Sequence, residues 1–479
     1  MSELTDLGAE ALSQGLAARR FSCRELMAAT LDRIGRENPR HNAIVSLRDP
    51  VALLHEADVC DQELAQGHRR GWMHGLPQAI KDAVAVAGVR TTLGSRLVDF
   101  VPSQDDLVVQ RMRSAGAIVI GRTNSPEFGL GSHTFNDVHG TTRNAFDPSR
   151  SAGGSSGGAA VALATRMLAV ADGSDFMGSL RNPAGWNNVY GLRPSQGRVP
   201  NWPLVDAWVA QLSTCGPMAR TVLDLARLLD VQAGYDPRVP LSLDGGGGFA
   251  EAVLGALPGD ARVRIAWLAD LGGHLAMEEG VLAACEGTLR RFEEAGATVD
   301  AVAPPFDAAS VWEAWLVWRR WLVAGRIAPY LTRPEQRGQV KPEALWEVDN
   351  AAGLTGEETM RASVVRTAFH RQMLRLLERH DLVALPTAQV WPFDATLRWP
   401  SEIAGRTMDT YHRWMETTIY ATFAGLPCIA VPAGFGPGGL PMGLQLIGRP
   451  RADAEVLRIA AALEPAIADI LAVRPANGR

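Results

Sequence analysis

Residues 151–184 read SAGGSSGGAAVALATRMLAVADGSDFMGSLRNPA, and this stretch decides how the 479-residue chain is understood. It holds two serine sites set among glycines: Gly153-Gly154-Ser155-Ser156-Gly157-Gly158, then Gly173-Ser174-Asp175-Phe176-Met177-Gly178-Ser179. Residues 159–167 between them are alanine-rich and predict a helix, and residues 168–171 predict a short buried strand leading into the second site. Glycine at this density lets backbone approach a ligand closely and frees N–H groups to point at it. A serine in such a loop can be a nucleophile with its oxyanion donors already beside it.

Three plainer readings fit less well. A Gly/Ser linker does not run straight into a helix and a strand. A phosphate cradle of this shape ends in Gly-Lys-Ser/Thr, which is absent here. Gly153-x-Ser155-x-Gly157 spells the nucleophile-elbow pattern, but that elbow needs a strand directly before it, and residues 144–151 (NAFDPSRS) are polar and contain a proline.

Working outward, residues 77–81 (PQAIK) predict a strand, with proline tolerated at its start and Lys81 ending an otherwise neutral run. Lysine is by default a solvated surface charge. A helix over 105–115, a stop at Gly116 and a buried strand over 117–121 follow the grammar of an α/β sheet. Residues 123–128 (TNSPEF) and 140–144 (GTTRN) predict a long loop over the site. His133 and His139 lie in this region without enough convergent partners for a metal site.

Residues 8–36 predict two helices, the second capped by Ser22 with Glu25 three positions later, and 50–69 predict a third. Together they suggest an N-terminal helical arm over 1–70, with one large domain over 71–479. Residues 245–248 are a glycine run expected to form a flexible surface turn. Strand 263–268, helix 278–295 and strand 297–302 predict a βαβ-like unit at the far side of the sheet. Further strands are expected within 381–387, 425–432 and 439–448, then a closing helix over 453–463. A tryptophan-rich helical insertion is expected over about 306–380. Its Trp312, Trp315, Trp318 and Trp321 recur every third residue, a drifting stripe on a helix. Core packing is the first reading of that stripe; the sharper one has one or two rings lining an acyl or aryl pocket.

Composition narrows the class. Hydrophobic residues make up 47% and charged residues 21%, the balance of a globular protein able to bury a large core. The net charge of −5 gives no basic footprint for nucleic acid. The N-terminal MSELTDLGAEA has neither a basic nor an apolar leader segment, and no apolar run reaches membrane-spanning length. The five cysteines (Cys23, Cys60, Cys215, Cys285, Cys428) are scattered, odd in number and free of any C-x-x-C pair. Buried, reduced thiols in a cytoplasmic protein are the expectation.

Three motifs in order resemble the amidase signature family: Gly75-Leu76-Pro77-Gln78-Ala79-Ile80-Lys81-Asp82, the Gly-Gly-Ser-Ser-Gly-Gly run, and Gly178-Ser179-Leu180-Arg181-Asn182-Pro183-Ala184. The likeness covers roughly residues 10–300 and 380–465. It implies an α/β fold, a large twisted mixed sheet sandwiched by helices. It also implies a Ser–cis-Ser–Lys catalytic unit with Ser179 as nucleophile, Ser155 as the bridging serine on a cis peptide, and Lys81 as the base. The serines stand 179 − 155 = 24 residues apart, the family's interval.

What the resemblance implies chemically is amide hydrolysis through an acyl-enzyme, with no metal or organic cofactor. The backbone N–H groups of residues 176–179 would form the oxyanion hole, and Asp175 and Arg181 would stabilise the turn. Phe176-Met177 stand where the family usually has Thr-Gly. Together with Gly178 they are read as oxyanion and substrate-binding positions, with the two side chains walling a pocket for a flat or apolar acyl group. The expected partner is a small aromatic or hydrophobic amide, with no nucleic acid, no membrane and a homodimer as the assembly. Three alternatives stay open: the glutamine-hydrolysing subunit of a tRNA-dependent amidotransferase, a catalytically inactive binding protein on the same scaffold, and a Ser-His-Asp hydrolase on another fold.

Overall fold

In the computed structural model, which describes residues 4–476, the alanine-rich run after the first serine site is a helix, Gly157–Ala164. All eight of its residues are buried, as expected of a helix apolar on every side. It ends three residues before the predicted boundary, where the Thr165 hydroxyl donates back to the Val161 carbonyl at 2.7 Å. The first three residues of the N-terminal arm and the last three of the chain lie outside the described residues.

The strand expected over 168–171 instead spans Val170–Asp175. It stays extended because it pairs antiparallel with Thr214–Ala219 along its whole length, from Val170↔Ala219 to Asp175↔Thr214. Gly173 and Ser174 are therefore strand residues, and the second serine site turns only after Asp175.

This strand is one edge of an eight-stranded mixed sheet. From it the order runs Thr214–Ala219, Tyr190–Arg193, Cys428–Phe435, Pro441–Ile447, Leu382–Pro386, Arg264–Trp267 and Thr298–Ala301. Neighbours are antiparallel as far as Leu382–Pro386, and the last three strands are parallel. The parallel edge is the predicted βαβ unit, with helix Val281–Glu294 as its crossover.

A smaller sheet carries Ile44–Val45, Ile118–Thr123 and Pro77–Lys81 in that order. The strand ending in Lys81 keeps the predicted bounds. A carboxylate joins the two sheets: Asp172, in the edge strand of the large one, accepts from the Lys81 N–H at 3.3 Å and from Gln78 Nε2 at 3.5 Å. That contact sets the Lys81 strand beside the serine-bearing strand.

The remaining helices fasten this frame. Asp224 accepts from the N–H groups of Ala9 and Glu10 at 2.9 and 2.8 Å, capping helix Ala9–Ala17 from across the chain. Ser22 and Glu25 form the predicted capping box of helix Cys23–His41. Between Thr298–Ala301 and Leu382–Pro386 come the helices Ala308–Ile327, Pro334–Arg337, Pro342–Ala351 and Gly356–Leu377. One continuous buried core joins Leu12 and Leu26 of the N-terminal helices, Leu446 of the sheet and Trp315 of the insertion. A smaller cluster of Val98, Phe128, Leu130, Val323 and Ile327 lies between the insertion and the loop after Ile118–Thr123. Phe176 packs against both. Among the described residues no helix is long and apolar enough to cross a membrane.

Candidate active site

Lys81, Ser155 and Ser179 come together where the two sheets meet. Lys81 is 1% exposed, Ser155 3% and Ser179 6%. Lys81 Nζ lies 2.8 Å from Ser155 Oγ, 2.9 Å from Ser156 Oγ and 3.1 Å from Ser174 Oγ. The Ser156 N–H donates to the Ser179 carbonyl at 3.2 Å, which ties the two serine loops directly. The Gly154–Ser155 peptide bond is cis. Burial lowers Lys81 from its ordinary range to about 7, and burial raises Asp172 to about 6. At neutral pH a large share of Lys81 is therefore the free amine, able to accept a proton.

The loop that presents Ser155 is pinned on both sides. Thr134 Oγ1 donates to the Gly153 carbonyl at 2.8 Å and accepts from the Gly157 N–H at 3.2 Å. Asn182 Oδ1 accepts from the Gly154 N–H at 3.3 Å. His133 shares this work: Ser151 Oγ is 2.7 Å from its Nδ1, and its Nε2 faces the Ala395 carbonyl at 3.2 Å. Burial lowers His133 to about 4, so it is a neutral hydrogen-bonding group here. His139 is 3.1 Å from Thr92 Oγ1 and near Asp82. Neither histidine completes a Ser-His-carboxylate arrangement among the described residues.

At the turn, Asp175 receives Arg181 through two bonds, Nε to Oδ2 and Nη2 to Oδ1, both 2.9 Å. Arg193 Nη1 donates to the Asp175 carbonyl at 2.6 Å, and all three residues are fully buried. Burial alone would raise the Asp175 carboxyl, but the two guanidiniums hold it well below the usual carboxylate range. One expectation needs correcting. The Gly178 N–H donates to Asp175 Oδ1 at 2.9 Å, so it is not free for an oxyanion. The N–H groups of Phe176, Met177 and Ser179 have no backbone or side-chain acceptor among the described residues. Gly178 is nonetheless required: its φ is +82°, and a Cβ there would lie 2.6 Å from the Thr418 side chain. Met177, in the position the family usually gives to glycine, keeps a negative φ and is 2% exposed.

The sequence did not reveal how the turn is backed. Arg319, on helix Ala308–Ile327, donates from Nη1 to Met177 Sδ at 3.6 Å and lies 5.6 Å over the Phe176 ring. Its charge is answered by Glu347 Oε1 at 2.7 Å and the Tyr411 hydroxyl at 2.6 Å. Trp315 meets Phe176 edge-to-face at 5.6 Å. The tryptophan stripe is thus divided: Trp312, Trp315 and Trp318 are buried, Trp315 against the turn, while Trp321 is 37% exposed.

Away from this site, Cys60, Glu63 and His74 bring ligand-type atoms within 4.8 Å of one another. Both His74 nitrogens are already engaged, with the Cys60 carbonyl and the Arg70 N–H, and Glu63 pairs with the Arg70 guanidinium. A metal would have to displace one of the two His74 contacts and compete with the Arg70 guanidinium for Glu63.

Residues 25–457 match the Amidase family. The chain is 35% identical over 478 residues to an acylamidase of Rhodococcus erythropolis, covering 98% of this chain and 96% of that protein. It is 37% identical over 467 residues to a glutamyl-tRNA(Gln) amidotransferase subunit of Thermus thermophilus, covering 93% and 94%. Among solved structures, a bacterial aryl acylamidase of the amidase signature enzymes superposes with a TM-score of 0.89 at 29% identity, over 98% of this chain and 99% of that one. The chain is a hydrolase that belongs to the amidase signature family.

Proposed function

We propose that the chain hydrolyses a small, hydrophobic or aromatic carboxamide through an acyl-enzyme formed on Ser179. The observation that carries this reading is the buried Lys81 amine, 2.8 Å from Ser155 Oγ and lowered by burial to about 7. Ser179 Oγ attacks the amide carbon while its proton passes to Ser155 and the Ser155 proton passes to neutral Lys81. The N–H groups of Phe176, Met177 and Ser179 receive the negative oxygen of the tetrahedral intermediate. Such donors are typically worth about 3 kcal/mol each. The proton on Lys81 returns by the same route to the departing nitrogen, the C–N bond breaks, and the acyl group stays on Ser179. Water then repeats the cycle and releases the carboxylate.

The half-buried Phe176 ring, packed edge-to-face on Trp315 at the turn, supports an apolar acyl preference. The likeness to an acylamidase and an aryl acylamidase points the same way. The 37% identity to the amidotransferase protein favours a second reading, glutamine hydrolysis that feeds ammonia to a partner. One experiment separates them: hydrolysis of anilide, benzamide-type, aliphatic and glutamine substrates by the wild type, Ser179→Ala and Lys81→Ala. Turnover of anilides or apolar amides that disappears in both variants is the expected result. Turnover of glutamine alone favours the second reading, and activity persisting in Ser179→Ala removes the assigned nucleophile.

A further inference from the structure

Helix Ala308–Ile327 brings two arginines toward the site, and of these two only Arg319 forms an ion pair. Arg319 is held by Glu347 and Tyr411. Arg326, seven residues on, has no carboxylate within ion-pair distance among the described residues; its one hydrogen bond runs from Nη2 to the Phe128 carbonyl at 3.0 Å. That carbonyl belongs to the residue before Gly129, and Gly129 lies against the serine site: a Cβ on it would sit 3.7 Å from Ser155 Oγ. The neighbours of Arg326 on the helix, Val323 and Ile327, pack with Phe128 and Leu130 in the smaller apolar cluster that Phe176 also touches. The guanidinium therefore lies on the same wall as the bridging serine and the oxyanion turn.

Arg326 is exposed to solvent. It is also close enough to Lys81 to contribute to the lowering of that amine. An exposed guanidinium beside the site, with one backbone hydrogen bond and no ion pair, keeps donors for an anion brought from outside, and its planar fork fits a carboxylate in particular.

We propose that Arg326 is a specificity-determining residue, and that the substrate is an amide carrying a carboxylate that this guanidinium receives while the amide carbonyl lies at Ser179. The proposal rests on the reading of the site given above and adds the charge of the substrate to it. The apolar walls then hold the body of the molecule, and Arg326 fixes one end. Simple capping of a helix end through the Phe128 carbonyl would give Arg326 no influence on which substrate is chosen.

The test uses two pairs of amides that share a scissile bond and differ in charge. Glutaryl and pentanoyl para-nitroanilides place the carboxylate on the acyl side. Butanoyl para-aminobenzoate and butanoyl anilide place it on the amine side. The ratio of kcat/KM, charged over neutral, is measured for the wild type, Arg326→Met and Arg326→Lys. The expected result is a ratio above one in at least one pair, falling about tenfold or more in Arg326→Met and less in Arg326→Lys. A wild type that cleaves neither charged amide, or a preference that survives in Arg326→Met, overturns the proposal. Ser179→Ala is assayed alongside. If it still turns over the panel, the reading of the site has failed; if it is inactive and the charged amides gain nothing from Arg326, only the present inference has failed.

Discussion

Lys81 illustrates how burial can free a surface-type residue of its charge. The same ammonium in water would hold its proton to above pH 10. Here burial lowers it to about 7, and three serine hydroxyls surround the amine. In the proposed relay the neutral amine is the active form. The sign follows directly: below about pH 7 the amine is protonated and kcat/KM falls about tenfold per unit, and above it the rate levels off. A pH–rate profile without an acid limb near neutrality would remove Lys81 from the relay. The sequence made the candidate legible through its motif, since a buried lysine cannot be told from a solvated one by composition. It did not reveal that the Gly178 N–H is taken by Asp175, because that depends on which way a peptide plane faces.

At the scale of elements, the helix Ala308–Ile327 acts on the turn through Arg319. Two consecutive turn residues, Phe176 and Met177, touch that one guanidinium. Arg319→Met is expected to lower kcat about tenfold while KM moves much less, because the proposed oxyanion donors lose their backing and small misplacements are costly. Met177→Leu, which removes the sulfur acceptor and keeps the volume, should shift kcat in the same direction. The two changes combined should cost less than their product. Steady-state kinetics on the four proteins checks this, and fully independent effects would show that Arg319 does not work through Met177.

These contacts were not legible in the sequence. The stripe of Trp312, Trp315 and Trp318 marked a buried helix face, but the partners of Arg319 lie 28 and 92 residues away. The strand Pro77–Lys81 was legible as a short run with clear stops, and the βαβ edge by its strand–helix–strand order with Gly296 ending the helix. The strand Val170–Asp175 was read too short because its polar end, Gly173-Ser174-Asp175, is kept extended by pairing with a distant strand.

Across the whole molecule, the Asp175 cluster links segments far apart in the chain. Arg181 bonds the Thr418 carbonyl at 2.9 Å and Thr422 Oγ1 at 3.0 Å, and it also reaches Gln445; Arg193 reaches the Leu212 carbonyl at 2.9 Å. Asp175→Asn removes the anion and leaves two buried guanidiniums facing each other. Breaking a buried pair in this way costs about 3–5 kcal/mol, which denaturant unfolding would register as a lowered midpoint. The folded carboxyl is held below its unfolded value, so its contribution to stability is full above roughly pH 4 and is lost as the pH falls through the folded value. The wild type should therefore lose more stability on acidification than Asp175→Asn does. An equal pH dependence would contradict the assigned charge state. The family motifs suggested Asp175 and Arg181 as partners at the turn, but the reach of Arg181 to Gln445 required the fold.

The Ser179–Ser155–Lys81 relay is tested most directly by the site and pH dependence of labelling by a fluorophosphonate. The full-length protein is treated across pH 5 to 9, and the modified residue is identified by peptide mass mapping. The expected result is a single adduct on Ser179 whose rate of formation rises through about pH 7 as Lys81 loses its proton. An adduct on Ser155, or labelling of Ser179 at a rate indifferent to pH over that range, would contradict it.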